Sequence, residues 1–238
     1  MSERRVACIT GGTRRVGAHL AAFLASRDYD LVLNYKNDRT EAENTAERLR
    51  GQGARVRLVR ADVSSKDAVA AMIDSIADAE QRLDVLVHNV GVYTPTDVSE
   101  LSPAEWDDTL GPNLSGGFYC SYFARPLLEK HGGLIVYLGF AGVDALVANV
   151  FATAYQVSKT GLLVLTKSLA KALAPSGIRV NMISPGQMEN SVDLEDDSGR
   201  IPLGRPGKLD ELSHALGFLL DAGYVTGVNI DVAGGHKL

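Results

Sequence analysis

The chain reads as an α/β protein: one doubly wound, parallel, seven-stranded sheet. Three observations predict it. Apolar runs of strand length recur seven times with helical patterns between them. The first run ends in Thr10-Gly11-Gly12-Thr13-Arg14-Arg15-Val16-Gly17, small residues that open a helix directly. No Pro/Ser-rich linker or internal repeat divides the 238 residues, so one large core is expected.

The elements follow in order. Met1–Thr10 is a buried strand carrying Val6, Ala7, Cys8 and Ile9, and Val16–Ser26 is its helix. Strand Asp30–Tyr35 leads to helix Thr40–Gly51, and strand Arg55–Arg60 to helix Lys66–Gln81. Strand Val85–His88 comes next, then helix Leu114–Lys130 and strand Leu134–Leu138. Helix Thr153–Ala174 and strand Ile178–Ile183 follow. Helix Leu209–Ala222, with acidic Asp210 and Glu211 in its first turn, precedes strand Val228–Val232. Strands joined through helices must pair in parallel by right-handed crossovers, with both sheet faces covered.

Composition narrows the function. The apolar fraction is 45% and the net charge −5, without a basic stripe, which argues against nucleic acid as a partner. No apolar run reaches membrane-spanning length and no signal-peptide core follows Met1–Arg5, so a cytoplasmic protein is expected. Cys8 and Cys120 read as buried thiols, not a bridge, and no metal site is expected.

In such sheets ligands lie beyond the carboxyl ends of the strands. After the first strand, Gly11, Thr13, Arg14, Arg15 and Val16 bring backbone donors and a helix N-terminus to one point, where a pyrophosphate can sit. After the second, Asn34, Tyr35 and Lys36 replace the carboxylate that a free ribose 2′-hydroxyl calls for. With Arg14 they favour a 2′-phosphate, hence NADP(H); a solvated basic loop is the other reading of Lys36 and Arg39. After the third, Asp62-Val63 suits either an adenine amino group or a helix cap starting from Ser64. After the fourth, Asn89-Val90-Gly91 lets a ribose lie against the backbone, and His88 reads as structural. Tyr155 and Lys159 stand at i and i+4 on one helix face, where an ammonium lowers a phenol's pKa and readies it for proton transfer.

These markers, with Asn113, Pro185-Gly186 and the C-terminal Gly227–Gly235, run in register nearly end to end. The chain resembles the short-chain dehydrogenase/reductase family of single-domain type, a Rossmann fold. The resemblance implies NAD(P)-dependent redox chemistry on a small-molecule substrate. It also implies a homotetramer or homodimer, with the last helix and strand in one interface. Tyr155 would be the general acid, and Lys159 would hold the ribose hydroxyls and depress the Tyr155 pKa. Asn113 would anchor a relay water, and Pro185 and Gly186 would shape the nicotinamide pocket and offer backbone groups to the carboxamide.

Two departures from the family stand out. Arg15 occupies the place of a glycine, as in pteridine reductases, where such an arginine bridges cofactor phosphates and substrate; neutralising the pyrophosphate is the alternative. The fifth strand, Val136-Tyr137-Leu138-Gly139-Phe140-Ala141-Gly142, lacks the serine that hydrogen-bonds the substrate carbonyl, and Asp144 is either its substitute or a loop residue. A lid is expected around 187–206. Its acids Glu189, Asp193, Glu195, Asp196 and Asp197 either disfavour anionic acyl carriers or form a solvated loop. The expected activity is NADPH-dependent reduction of a C=O or C=N bond, with a pterin leading. The alternatives are 3-oxoacyl or ketone substrates, or a catalytically weak NADPH-binding sensor or scaffold.

Overall fold

The computed structural model describes residues 4–191 and 201–236. Seven strands form one sheet in the order β3-β2-β1-β4-β5-β6-β7, every pair parallel. They are β1 Arg5–Thr10, β2 Tyr29–Tyr35, β3 Val56–Arg60, β4 Val85–His88, β5 Leu134–Leu138, β6 Arg179–Pro185 and β7 Asn229–Val232. The helices are α1 Arg15–Ser26, α2 Arg39–Gly51, α3 Lys66–Glu80, α4 Pro103–Leu110, α5 Gly116–Leu128, α6 Thr153–Leu173 and α7 Leu209–Asp221. The order reverses between β1 and β4, which opens a crevice at their carboxyl ends.

Alternation along the strands builds two cores. Val6 and Cys8 of β1, with Ile135 and Tyr137 of β5, meet Met72 and Ile76 of α3, Cys120 of α5 and Leu162 of α6. Ala7 and Ile9, with Leu134 and Val136, meet Leu20 and Leu24 of α1, Leu49 of α2 and Leu216 of α7. This period of two is what a sheet buried on both faces requires. Both cysteines are buried free thiols, and burial pushes Cys8 up to about 12 and Cys120 higher still. No helix of the described residues is long and apolar enough to cross a membrane.

The expected elements are present, with ends displaced by a few residues. The exception is the approach to the helix expected over Leu114–Lys130. There α4 begins on a capping box, in which Ser102 accepts from the Glu105 N–H while Glu105 reaches back to Ser102 N, with Pro103 in the first turn. It runs into a π-helical turn, Gly111–Ser115, and then α5. Pro112 has no N–H for an α-helical bond and its ring crowds the preceding turn, so the ladder widens here.

Candidate active site

A cleft of about 940 Å³ lies beyond the carboxyl ends of the central strands. Its floor is the β1–α1 turn. Gly11 has φ +58°, and a Cβ on Gly17 would overlap the Gly11 carbonyl and sit 2.7 Å from Asn89 Nδ2, so α1 approaches this closely only through glycine. Arg14 is the N-cap of α1 but makes no side-chain cap, which leaves the first-turn N–H groups to face the cleft. Uncapped donors at a helix start, a glycine floor and two exposed guanidiniums, Arg14 and Arg15, fit a pyrophosphate. Thr13 and Val16 complete this end.

Arg15 holds φ +47°, the left-handed region that favours glycine. A non-glycine residue there costs on the order of 1 kcal/mol. Arg15→Gly should therefore raise the melting temperature by about 2–4 °C in a chain of this size, read by thermal denaturation. An unchanged melting temperature would show that the gain is offset by the unfolded chain's added freedom.

Three residues expected to touch cofactor serve first as clasps. Asn34, 2% exposed, accepts from Gly11 N (3.3 Å) and donates to Ala61 O (2.9 Å), tying the glycine turn to β3. Asn89 donates to Thr10 O (3.2 Å) and Gly11 O (3.1 Å). Asp62 does not cap α3; Ser65 does, accepting from Ala68 N. Asp62 instead accepts from Ser64 N and Oγ and pairs with Lys36 at 2.7 Å. Burial opposes ionisation, but the hydrogen bonds from Lys36 and Ser64 hold its carboxyl below its ordinary range. All three still line the cleft, with Tyr35, Lys36, Val63, Val90 and Gly91.

Tyr155 and Lys159 of α6 close the other end. The Lys159 Nζ lies 5.9 Å from the Tyr155 ring centroid, as the i, i+4 spacing requires. The expected depression of the phenol pKa is not found. Burial, then the neighbouring Tyr93, pushes Tyr155 up to about 12. Burial pulls Lys159 down to about 7; among the described residues its ammonium donates to the carbonyls of Leu138 (2.8 Å) and Val90 (3.3 Å) and meets no carboxylate.

Asn113 sits in the π-helical turn, fully buried, with its side chain engaged at both ends. Its Oδ1 accepts from Val92 N (2.7 Å), and its Nδ2 donates to Val92 O (2.9 Å) and Ser158 Oγ (3.0 Å). Its side chain is a clamp on the β4 loop. His88 holds that turn from below. Thr10 Oγ1 accepts from Asn89 N, so its proton goes to His88 Nδ1, and His88 Nε2–H donates to Pro112 O. Burial, then the Lys159 charge, pulls His88 down to about 3, so the imidazole is neutral.

Pro185 lines the cleft; Gly186 does not. Its N–H donates to Val232 O, the Pro185 carbonyl accepts from Ala141 N, and a Cβ on Gly186 would sit 2.9 Å from Ala233. The Gly186 N–H and the Pro185 carbonyl are thus both engaged at the strand ends. The missing serine also has a different neighbourhood from the one expected. A Cβ at Gly139 would overlap Ser184 Oγ and sit 2.7 Å from Met182 Sδ, so a hydroxyl side chain there would have to displace both. Phe140 is the residue that meets Tyr155, with ring centroids 5.7 Å apart. Tyr137 turns into the core, bonded to Ser121 and Gly117, and Asp144 is exposed outside the cleft lining. Of the lid acids, Glu189 accepts from Leu209 N at the start of α7. Asp193, Glu195, Asp196 and Asp197 lie outside the described residues.

Sequence reasoning passed over Tyr93, Phe140, Asp107 and Asp108. The two aspartates line the cleft from α4, the helix whose capping box is visible in Ser102-Pro103-Ala104-Glu105.

Comparison with known proteins agrees with this geometry. A family profile described as "Enoyl-(Acyl carrier protein) reductase" matches residues 11–237. A 3-oxoacyl-[acyl-carrier-protein] reductase of Staphylococcus aureus is 33% identical over 245 residues, covering 99% of this chain and 99% of that one. A solved short chain dehydrogenase from Burkholderia cenocepacia in complex with NADP superimposes with a TM-score of 0.90 at 27% identity, covering 97% of each chain. A blue fluorescent protein from a metagenomic library, in complex with NADPH, gives 0.91 at 25% identity over 98% of both. With a profile match this long and a relative this similar along its whole length, the chain belongs to the short-chain dehydrogenase/reductase family.

Proposed function

We propose that the protein is an NADPH-dependent reductase that delivers hydride to a C=O bond of a small molecule and protonates the product oxygen from Tyr155. The observation that carries this reading is the Tyr155–Lys159 pair at the mouth of a cleft whose far end is built for a pyrophosphate. A reduced nicotinamide supplies the hydride when bound. Tyr155, protonated across the neutral range, holds the proton the nascent alkoxide takes. Lys159, lining the cleft beside Gly91, has donors to offer ribose hydroxyls. The solved relatives that hold NADP or NADPH support the phosphorylated cofactor, and the 3-oxoacyl reductase supports a ketone-type carbonyl.

A pterin C=N bond is the second reading. It rests on Arg15, kept in the cleft at the expense of a left-handed backbone, and on the aromatic rings of Phe140 and Tyr93 around Tyr155. A homo-oligomer is proposed as well; exposed Phe118, Tyr122, Val157 and Val164 on α5 and α6, with Phe218 on α7, give apolar surface for it.

The test is NADPH consumption with a 3-oxoacyl thioester, a simple diketone and a dihydropterin. Turnover of either carbonyl supports the main reading, and turnover of the pterin alone supports the second. Tight NADPH binding with no turnover of any substrate in a widened panel would indicate a sensor or scaffold.

Cofactor choice has its own test. Lys36 is shared with Asp62, and Asp38 and Glu41 also border this end, so Arg14, which makes no ion pair among the described residues, is the cation proposed for a 2′-phosphate. Arg14→Ala should weaken NADPH by about 10–100-fold, the loss of one charge-assisted hydrogen bond, and NADH far less. Equal losses, measured by titration, would assign Arg14 to the pyrophosphate.

A further inference from the structure

We propose that Tyr93 is a second catalytic hydroxyl of this site, donating a hydrogen bond to the substrate carbonyl oxygen where β5 offers none. The inference rests on the reductase reading above.

The need for a donor is structural. Gly139 carries no side chain and is crowded by Ser184 and Met182, and Phe140 presents an apolar ring. Other hydroxyls around Tyr155 are committed. Tyr137 is bonded to Ser121 and Gly117, Ser158 donates to the Tyr155 carbonyl, Thr153 to Asn149 O and Thr160 to Val143 O. Among the described residues, Tyr93 and Tyr155 are the neighbours at this mouth whose hydroxyls make no hydrogen bond within the protein. Their rings meet edge to face, with centroids 5.2 Å apart at 87°. Tyr93 is 53% exposed and stands at the rim, one residue beyond Val92 of the cleft lining, so its hydroxyl is open to a molecule that reaches Tyr155. Tyr93 also acts on Tyr155 electrostatically, disfavouring its phenolate, so the two phenols share one neighbourhood.

Preorganisation comes from Asn113. Because it binds both the N–H and the C=O of Val92, the backbone from which Tyr93 projects is fixed from two sides. A donor held in this way needs no reorganisation as charge develops on the oxygen, and that is the condition under which a hydrogen bond lowers a barrier.

The step balances. The carbonyl carbon accepts hydride as the nicotinamide is oxidised, and the π pair moves onto oxygen. The Tyr155 O–H bond breaks to give the alcohol and a phenolate, which solvent reprotonates. Tyr93 keeps its proton throughout and supplies only the hydrogen bond.

The experiment compares wild type, Tyr93→Phe, Tyr155→Phe and the double variant Tyr93→Phe/Phe140→Ser with the diketone and the 3-oxoacyl thioester. NADPH binding by fluorescence reports folding, and phenolate absorbance of the cofactor-free proteins reports Tyr155 ionisation. Tyr93→Phe should lower kcat by roughly 10–100-fold with NADPH affinity unchanged. It should also let Tyr155 ionise at lower pH, and Phe140→Ser should restore part of kcat. An unchanged kcat in Tyr93→Phe beside an inactive Tyr155→Phe overturns the inference and leaves the reductase reading standing. So does an unmoved Tyr155 ionisation. Wild type that reduces neither carbonyl defeats the reductase reading itself, and this inference with it.

Discussion

Tyr155→Phe should lower kcat by about 10²–10⁴-fold, the usual contribution of a positioned general acid, while NADPH affinity stays within about twofold. The substitution removes one oxygen and keeps the ring that packs against Phe140 and Tyr93. The phenol makes no hydrogen bond among the described residues, so the fold loses nothing with it. The pH dependence follows from the raised pKa. Reduction needs the phenol protonated, and with burial pushing Tyr155 up to about 12 that form dominates throughout the neutral range. The reductive kcat should therefore show no inflection from this group near neutrality. Oxidation of the product alcohol needs the phenolate as base, so its rate should rise by about tenfold per pH unit through the neutral range. Steady-state rates in both directions check this. A reverse rate that levels off near neutrality would mean that bound cofactor draws Lys159 towards the phenol and lowers its pKa.

The fold was legible because its signal is repeated. Each strand is an apolar run, each helix has a periodic face, and the two cores differ by single-residue alternation along β1 and β5. The site was legible where position alone decides. The tips of β1, β2, β3 and β4 line the cleft because ligands in doubly wound sheets lie there. What a polar residue at a strand tip does was not legible. Asn34 and Asn89 look like cofactor contacts in sequence, and the structure adds that their amides also hold the glycine turn. The π-helical turn was hidden because a Pro within a helical pattern does not say whether the chain stops, kinks or widens. The bonds that hold this turn, from His88 and to Val92 and Ser158, join residues far apart in the chain. Tyr93 was hidden for the same reason. Its place depends on the Asn113 clamp on Val92, and no local pattern marks which loop residue will face Tyr155. Only the left-handed need at Arg15 had a visible trace, a family glycine replaced by a bulky residue.

Lys159→Met should remove activity by a comparable factor and yet stabilise the free protein. Lys159 is almost fully buried and forms no ion pair among the described residues; two carbonyl oxygens are its only acceptors. Burial pulls its pKa from the ordinary 10.5 to about 7. Between those two values the unfolded chain binds more protons than the folded one, so stability must rise with pH across that window. Below about 7 both states are protonated and the whole penalty of the buried ammonium is present. Methionine fills similar space without charge, so the variant should melt roughly 5 °C higher at pH 6–7 for a penalty near ~2 kcal/mol. The difference should shrink as pH approaches 10, because neutral lysine carries no such penalty. Thermal melts of both proteins over pH 6–10 test it, with NADPH consumption at each pH as the second readout. Gain in stability together with loss of turnover would mark Lys159 as a group retained for chemistry against the interest of the fold. A variant that neither gained stability nor flattened the pH slope would mean that the carbonyls of Leu138 and Val90 already compensate the buried charge.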